Sequence, residues 1–451
     1  MERRLENYPL EKRNPVLKAK VSIQKTGIFN LSTKILDKLN IDDNYIILFR
    51  LTNNNHLFIS KLTSVRKNCR DYRLAINKTT LDKMDLPLNT EIEIIDYKKI
   101  GHRPKLKGKE GYLNLVKYLD GNMTCFELED KILVYYLSGI RNPSRITLPR
   151  FLKIDGLSCW NFGFYLAEGE KATNYRFGVS NNEYNLMKRF IDFSLNHLKL
   201  NINNFKFELR LKNYNSKAVE HWSQQLGIAI SKFNTRIIKN KPPESKNGNM
   251  TITLYNVILG TLNKKIIYDL EFIKSLRKEH ASALLRGVQA GDGGVLHHSG
   301  CIELTISTQK KELKIYDHLL RRLCSQPPKI RKSHTCNIVW MLYHRGTNIA
   351  REYIINDFFK EHGQRWNKLI LLYKLKAKKQ IAIFKAILNN NLTVKERCRE
   401  LNSHYASTNI YLKRLIKEDI LESKIIDSHR KTRNFHFTEK GLKIINNIGL
   451  N

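Results

Sequence analysis

Long apolar runs are missing from this chain. None approaches the ~20 residues that a bilayer-spanning helix needs, and Met1-Glu2-Arg3-Arg4 leads into polar sequence with no signal-like apolar segment. A membrane role and export are therefore not expected. Cysteine is sparse: seven residues, scattered, with no Cys-x-x-Cys pair. That spacing builds neither a zinc ribbon nor a dithiol redox site, and reduced thiols in a cytoplasmic protein are expected. The adjacent pair His297-His298 reads as a solvated loop rather than a metal site. Acidic residues are scarce too. The 42 Asp+Glu stand against 79 Lys+Arg, a formal charge of +37 spread along the whole length. Such an excess implies a polyanionic partner, nucleic acid first of all. At 451 residues the chain has room for two to four domains and a sizeable core.

The most informative pattern is a repeat. Gly163-Phe164-Tyr165-Leu166-Ala167-Glu168-Gly169 recurs in altered form as Gly287-Val288-Gln289-Ala290-Gly291-Asp292-Gly293. Each copy reads as an apolar helix that ends in an acid followed by glycine. Gly163 and Ala167 are four apart, as are Gly287 and Gly291, so each pair shares a helix face. Small residues there let two backbones approach closely. Two such helices side by side would bring Glu168 and Asp292 together at their C-terminal ends, with Gly169 and Gly293 as left-handed terminators. Two ionised carboxylates in contact repel unless a divalent cation lies between them. Oxygen ligands suit Mg²⁺, with Mn²⁺ as an alternative, and metals about 4 Å apart can drive phosphodiester hydrolysis. A single copy could equally be an ordinary helix with an exposed acid and a glycine cap; two copies in phase in a very basic chain are more specific.

The two motifs, at 160–169 and 284–293, resemble those of the LAGLIDADG family of homing endonucleases in its single-chain form. The resemblance implies an α+β fold: a duplicated αββαββα saddle over residues 150–373, acting as a monomer on double-stranded DNA and leaving short 3′ overhangs. Glu168 and Asp292 would be the catalytic metal ligands. It also implies a basic residue in the turn after the first strand beyond each motif. Gln309 and Lys310 fit that position in the second half, whereas the first half has Asn182 there.

Strand patterns supply the DNA-facing candidates. In Phe205–Lys212, period two puts Phe205, Phe207, Leu209 and Leu211 on one face and Lys206, Glu208, Arg210 and Lys212 on the other. Arg and Lys can read guanine edges and Glu can accept from cytosine. Met250–Tyr255 alternates likewise, with Thr251 and Thr253 outward, and Lys329-Ile330-Arg331-Lys332 suits phosphate binding, through Lys329 and Arg331. Ser158 is the expected N-cap of the first motif helix.

The flanks carry fainter signals. In residues 1–100, Leu31–Ile41 is echoed by Ile76–Leu86, each beside strand-like stretches such as Tyr45–Phe49 and Glu91–Ile95. This resembles the AbrB/SpoVT DNA-binding fold, with two repeats in one chain in place of a dimer. Residues 101–149 read as a basic linker. Residues 374–451 hold 17 Lys+Arg against 7 Asp+Glu. Their pattern is helices Ile381–Leu388, Thr393–Leu401 and Ser403–Asp419, two strands around Arg430-Lys431-Thr432-Arg433, and a last helix. It resembles a winged helix-turn-helix. Its third helix would face the major groove with His404, Ser407, Asn409 and Lys413, place Ile410, Leu412, Leu415 and Ile416 toward a core, and leave Arg430, Lys431 and Arg433 at the wing.

The function expected is a metal-dependent, site-specific endonuclease that breaks both strands at a long asymmetric site. The alternatives are a non-cleaving DNA-binding regulator, or a maturase that binds its host intron RNA, built on the same core.

Overall fold

A computed structural model of the chain describes residues 16–24, 26–52, 54–64, 72–76, 89–137, 144–238, 245, 247–298, 300–333, 338–388, 405–427 and 432–450. Helices and sheets are mixed in α+β fashion. Among the described residues, no helix is long and apolar enough to cross a membrane.

The N-terminal part contains β1 (Leu17–Ser22), β2 (Ile28–Leu31), α1 (Thr33–Leu39), β3 (Tyr45–Leu51), β4 (Asn54–Lys61), β5 (Thr63–Ser64), β6 (Tyr72–Ala75) and β7 (Asn89–Lys99). One sheet has the order β1-β7-β3-β4, the other β2-β6-β5. Helix α1 stops at Asn40, whose φ of 51° is left-handed, a conformation that asparagine tolerates better than branched residues. Phe29, Phe49 and Phe58 pack at the centre of a separate core. The second copy of the sequence repeat lies, beyond Ile76, outside the described residues.

Residues expected as a linker carry short strands: β8 (Tyr112–Asn114), β9 (Met123–Leu128), β10 (Lys131–Tyr136), β11 (Ser144–Pro149) and β12 (Phe151–Lys153). Strands β11-β10-β9 form an antiparallel sheet, and β12 pairs with β8. Ile132, Val134 and Leu148 join the core of the following region, while Phe126, Leu128, Leu133 and Tyr135 pack with Ile46, Leu48 and Ile95 of the N-terminal part. Lys117 Nζ and Tyr118 OH donate to Asp269 Oδ2 at 2.7 and 2.8 Å, tying the two regions together.

The central region runs α2 (Gly156–Glu168), β13 (Arg176–Asn181), α3 (Tyr184–Asn196), β14 (Lys206–Leu211), α4 (Ser216–Leu226), β15 (Phe233–Ile237), β16 (Asn249–Tyr255), α5 (Val257–Tyr268) and α6 (Leu270–Ser275). It continues with α7 (Lys278–Asp292), β17 (Gly293–His298), β18 (Cys301–Gln309), α8 (Leu313–Leu323), β19 (Lys329–Lys332), β20 (Val339–Arg345) and α9 (Thr347–Ile355). Helix α2 starts one capping box earlier than expected: Asp155 is the N-cap and Ser158 the N3 residue that answers it. It is apolar on nearly every side because it is buried on nearly every side.

The two sheets have the orders β13-β16-β14-β15 and β17-β18-β20-β19. An isolated antiparallel bridge, Gly169 to Val179, puts the chain after α2 where β17 sits after α7. With that bridge counted, both sheets share one order, and β15 is an extra edge strand parallel to β14. Phe207, Leu209 and Leu211 are buried and Lys206 is exposed, as alternation predicts.

The C-terminal part holds α10 (Gly363–Lys376), α11 (Lys378–Leu388), α12 (Tyr405–Lys417), β21 (Leu421–Asp427), β22 (Thr432–Phe437) and α13 (Glu439–Ile448). Helix α10 runs straight through the expected boundary at 373/374, and the apolar side chains of α11, α12 and α13 belong to the same core as the central region. The expected helix Thr393–Leu401 lies outside the described residues. Ile410 was expected inward, but it is 69 % exposed. Leu412 and Leu415 take the buried stripe instead, and Ile410 falls on the opposite side of α12 from Leu412 and Leu415.

Candidate functional site

Helices α2 and α7 lie backbone against backbone. A Cβ on Gly163 would sit 1.9 Å from Leu284 O, and one on Gly287 would sit 2.0 Å from Trp160 O. At the far end, a Cβ on Gly291 would meet Ala167 Cβ at 2.5 Å and Glu168 Cγ at 2.8 Å. All four small residues of the two motifs therefore lie in the contact, and the last turns bring Glu168 beside the segment that carries Asp292. The glycines after the acids depart from expectation. Gly169 and Gly293 are extended, at φ −71° and −74°, not left-handed. Space explains them: a Cβ on Gly169 would hit Tyr165 O at 2.2 Å, and one on Gly293 would hit Gln289 O and Phe359 Cε1, each at 2.4 Å.

Both acids are partly buried, and both are held by neutral donors. Asn181 Nδ2 donates to Glu168 Oε1 at 3.0 Å, and Tyr316 OH donates to Asp292 Oδ2 at 3.3 Å. The second oxygen of each carboxylate has no hydrogen-bond partner among the described residues. Burial pushes Glu168 up, with Arg365, Asn181 and Lys171 opposing. Burial pushes Asp292 up to about 7; Glu168 and Glu312 add to the rise, while Lys171 and Tyr316 oppose it.

Two cations flank the pair. Lys171 Nζ donates to Glu312 Oε1 at 2.7 Å and also reaches Leu166 O in the last turn of α2. Tyr268 OH and the Thr308 hydroxyl also donate to Glu312, each at 3.0 Å, and so does the Gln309 backbone N–H at 3.4 Å. Arg365, at the start of α10, donates Nη1 to Gln289 O at 2.8 Å and Ala290 O at 2.7 Å in the last turn of α7. Burial lowers its affinity for the proton, while Glu168, Asp292 and Glu183 raise it, so all three carboxylates lie within its field.

These four supports differ from the sequence-based candidates. Asn181, 5 % exposed, holds Glu168, whereas Asn182 is exposed. Gln309 and Lys310 are exposed at the end of β18 and make no side-chain hydrogen bond or ion pair among the described residues. Lys171 had a readable signal, a cation three residues beyond a motif acid. Arg365 and Tyr316 had none, because only the fold brings them here.

The outer faces of the two sheets are polar. On the first lie Lys206, Glu208, Arg210, Thr251 and Thr253, in register across β16 and β14. Arg210 Nε donates to Glu208 Oε1 at 2.7 Å, and Lys206 and Arg176 stand over the Tyr255 ring. Lys212 is exposed just past β14. On the second face, Lys329 is exposed, but Arg331 is engaged with Glu303. In the C-terminal part, Ser407 and Lys413 are exposed, Asn409 is half-buried and Arg433 is exposed, while His404, Arg430 and Lys431 lie outside the described residues.

No group of three or more His, Cys, Asp or Glu able to hold a metal occurs among the described residues. The donor set still fits a hard divalent cation: two converging carboxylates, buried enough to resist ionisation and each with an oxygen to spare, leave coordination positions for phosphate and water.

No family model and no curated protein matches the chain. Among solved structures it is similar to I-DmoI in complex with DNA and Mn, at 15 % identity, covering 42 % of this chain and 90 % of that one with a TM-score of 0.23. Mesophilic variants of the homing endonuclease I-DmoI match at 15 % identity, 44 % and 87 % coverage and a TM-score of 0.28. A lysine-to-alanine mutant of I-SmaMI matches at 11 % identity, 47 % and 88 % coverage and a TM-score of 0.26.

Proposed function

We propose that this chain is a site-specific DNA endonuclease of the homing type. The observation that carries the reading is the close packing of α2 on α7, which brings the two motif acids together at adjacent helix ends. Two carboxylates so close are costly to bury unless a cation is to share them. In this reading the central region is a duplicated αββαββα saddle, and the polar faces of its two sheets lie in the major groove of duplex DNA.

Glu168 and Asp292 would hold Mg²⁺, or Mn²⁺. When bound, the ion supplies Lewis-acid stabilisation of the charge that develops on the phosphoryl group and a water of lowered pKa. The rest falls to the chain. Asn181 and Tyr316 each hold one carboxylate oxygen and so orient the other toward the cation. Lys171 and Arg365 oppose the burial that would otherwise protonate the acids. Gln309 and Lys310, at the rim of β18, contact the scissile backbone. The exposed face of α12 and the β21–β22 hairpin form a winged-helix module that extends the contact, and the N-terminal part serves as an AbrB-like DNA-binding module. One monomer then covers a long asymmetric site and breaks both strands.

The test is incubation of the protein and Mg²⁺ with a plasmid library of its source genome's intron and intein flanks, followed by sequencing of new ends. Discrete double-strand ends that vanish in Glu168→Gln and Asp292→Asn support the reading. Tight duplex binding without ends, unchanged in both variants, would make the protein a regulator instead.

A further inference from the structure

Glu303 sits mid-strand in β18 on the polar face of the second sheet, yet it is 0 % exposed. Two arginines cover it. Arg331 from β19 donates Nη2 to Oε1 at 2.6 Å, and Arg345 from β20, its cross-strand partner, donates Nε to Oε2 at 2.6 Å. Both guanidinium groups also lie against one ring, that of Tyr343, at 4.7 and 5.0 Å from its centroid. Burying a carboxylate costs free energy that two arginines only partly offset, and an apolar or threonine side chain would stabilise the strand more simply. What the arrangement does give is two immobilised guanidinium groups. Each has five N–H donors and has committed one to Glu303. The rotamer entropy that a free arginine loses on binding is already lost. The three charges sum to a positive one, which suits a surface that meets DNA.

We infer that Arg331 and Arg345, held by Glu303 and Tyr343, read guanine in the major groove of the second half of the DNA site. The inference rests on the DNA-binding reading above and goes beyond it by naming the base and the readers. Arginine matches the O6 and N7 acceptors of guanine with two parallel donors, and only when its plane is fixed does that match become selective. A phosphate contact needs no such fixing. Among the described residues the first sheet has no carboxylate buried under two arginines: Arg210 pairs along its own strand with a partly exposed Glu208, and Arg176, which shares the Tyr255 ring with Lys206, lies 3.8 Å from a partly exposed Glu170. The two halves of the site therefore differ in stringency, with guanine most strictly required in the second.

The experiment is selection of bound duplexes from a randomised DNA library, without divalent metal and at fixed salt, by the full chain and by four variants. Wild type is expected to select guanine at one or two positions on one side of the site centre. Arg331→Ala and Arg345→Ala should each lose preference at one position by roughly 5- to 150-fold while other positions hold. Arg345→Lys should keep general affinity and lose that preference. Glu303→Gln should weaken both positions while raising salt-sensitive binding to all sequences, because it adds net positive charge. Uniform weakening of all sequences by the arginine variants, with the salt slope reduced by about one, would show that they hold phosphates and would overturn the inference alone. Failure of the wild type to bind any duplex would overturn the DNA-binding reading itself. Thermal melts of each variant establish that the selections report on folded protein.

Discussion

Lys171 and Arg365 do the same job at opposite motif helices. Lys171 Nζ reaches Leu166 O in the last turn of α2, and Arg365 Nη1 reaches Gln289 O and Ala290 O in the last turn of α7. Leu166 O and Ala290 O are carbonyls that a helix end leaves unpaired, and Gln289 O also accepts from the Gly293 N–H. Each cation also sets a positive charge against the negative end of a helix dipole that would otherwise add to the charge of the adjacent acid. The cations come from unrelated places, one just past the first motif and one from a helix beyond the second sheet.

Loss of either cation should therefore weaken the site, and loss of Lys171, which also leaves the buried Glu312 without its counter-charge, should lower the melting temperature as well. Arg365→Met and Lys171→Met are each expected to lower Mg²⁺-dependent cleavage by about 10- to 100-fold, the usual cost of removing a residue that supports metal ligands. The cleavage rate measured against Mg²⁺ concentration should show the loss as weaker apparent affinity. Arg365→Lys should recover part of it by restoring charge. A variant with undiminished metal affinity would remove Arg365 from this role.

The glycine contact is the least forgiving part of the fold. Adding one methyl at Gly163 or Gly287 places carbon about 2 Å from a carbonyl oxygen of the facing helix, and neither backbone can yield locally. Gly163→Ala and Gly287→Ala should each cost about 3 kcal/mol or more, read as a drop in the urea midpoint. Cleavage should fall further than stability, because separating the helices separates the acids.

Arg351 makes the corresponding prediction for the C-terminal part. It is 2 % exposed, lies on α9, and reaches Glu418 beyond α12, with Gln380 Oε1 and Tyr411 OH each at 3.2 Å. Glu418→Gln leaves that buried guanidinium without its counter-charge and should destabilise the protein by about 3 kcal/mol. Limited proteolysis should then release the segment after α10 before the central region is cut. A protection pattern unchanged from wild type would mean that the shared apolar core alone holds the parts together.

Sequence made the centre of the molecule legible because its signals are local. Four-residue spacing of small residues placed Gly163, Ala167, Gly287 and Gly291 in one contact, and period-two alternation placed Phe207, Leu209 and Leu211 inward. What escaped was set by distance along the chain. Arg365 follows Asp292 by a whole half-domain, and Glu303 finds its arginines on two later strands. No local pattern marks such partners. Residues 112–153 hid for another reason: strands as short as Tyr112–Asn114 and Phe151–Lys153 show too few alternations to separate from loop. Ile410 departs from expectation because an apolar residue type alone does not fix which face of a helix it takes, and Leu412 and Leu415 already fill the inward stripe.

Asp292 links pH to both stability and activity, and the signs differ. Its folded pKa of about 7 lies above the ordinary 3.8, so between those values the folded protein holds a proton that the unfolded chain has lost. Stability from this group is full below about 4 and is lost as pH rises through 7, by roughly 4 kcal/mol in metal-free protein. His344 and His362, both lowered by burial to about 4, act the other way below 6.5, so the comparison must be with Asp292→Asn. In EDTA, the melting temperature of the wild type relative to that variant should fall between pH 6 and pH 8. Adding Mg²⁺ at pH 8 should restore it in the wild type only, because the ion binds the ionised pair. Cleavage should rise with pH through about 7, since protonated Asp292 cannot share a cation with Glu168. Equal melting behaviour of the two proteins across this range would show that Asp292 is ionised throughout, and that Lys171 and the dipole-capping contacts outweigh its burial.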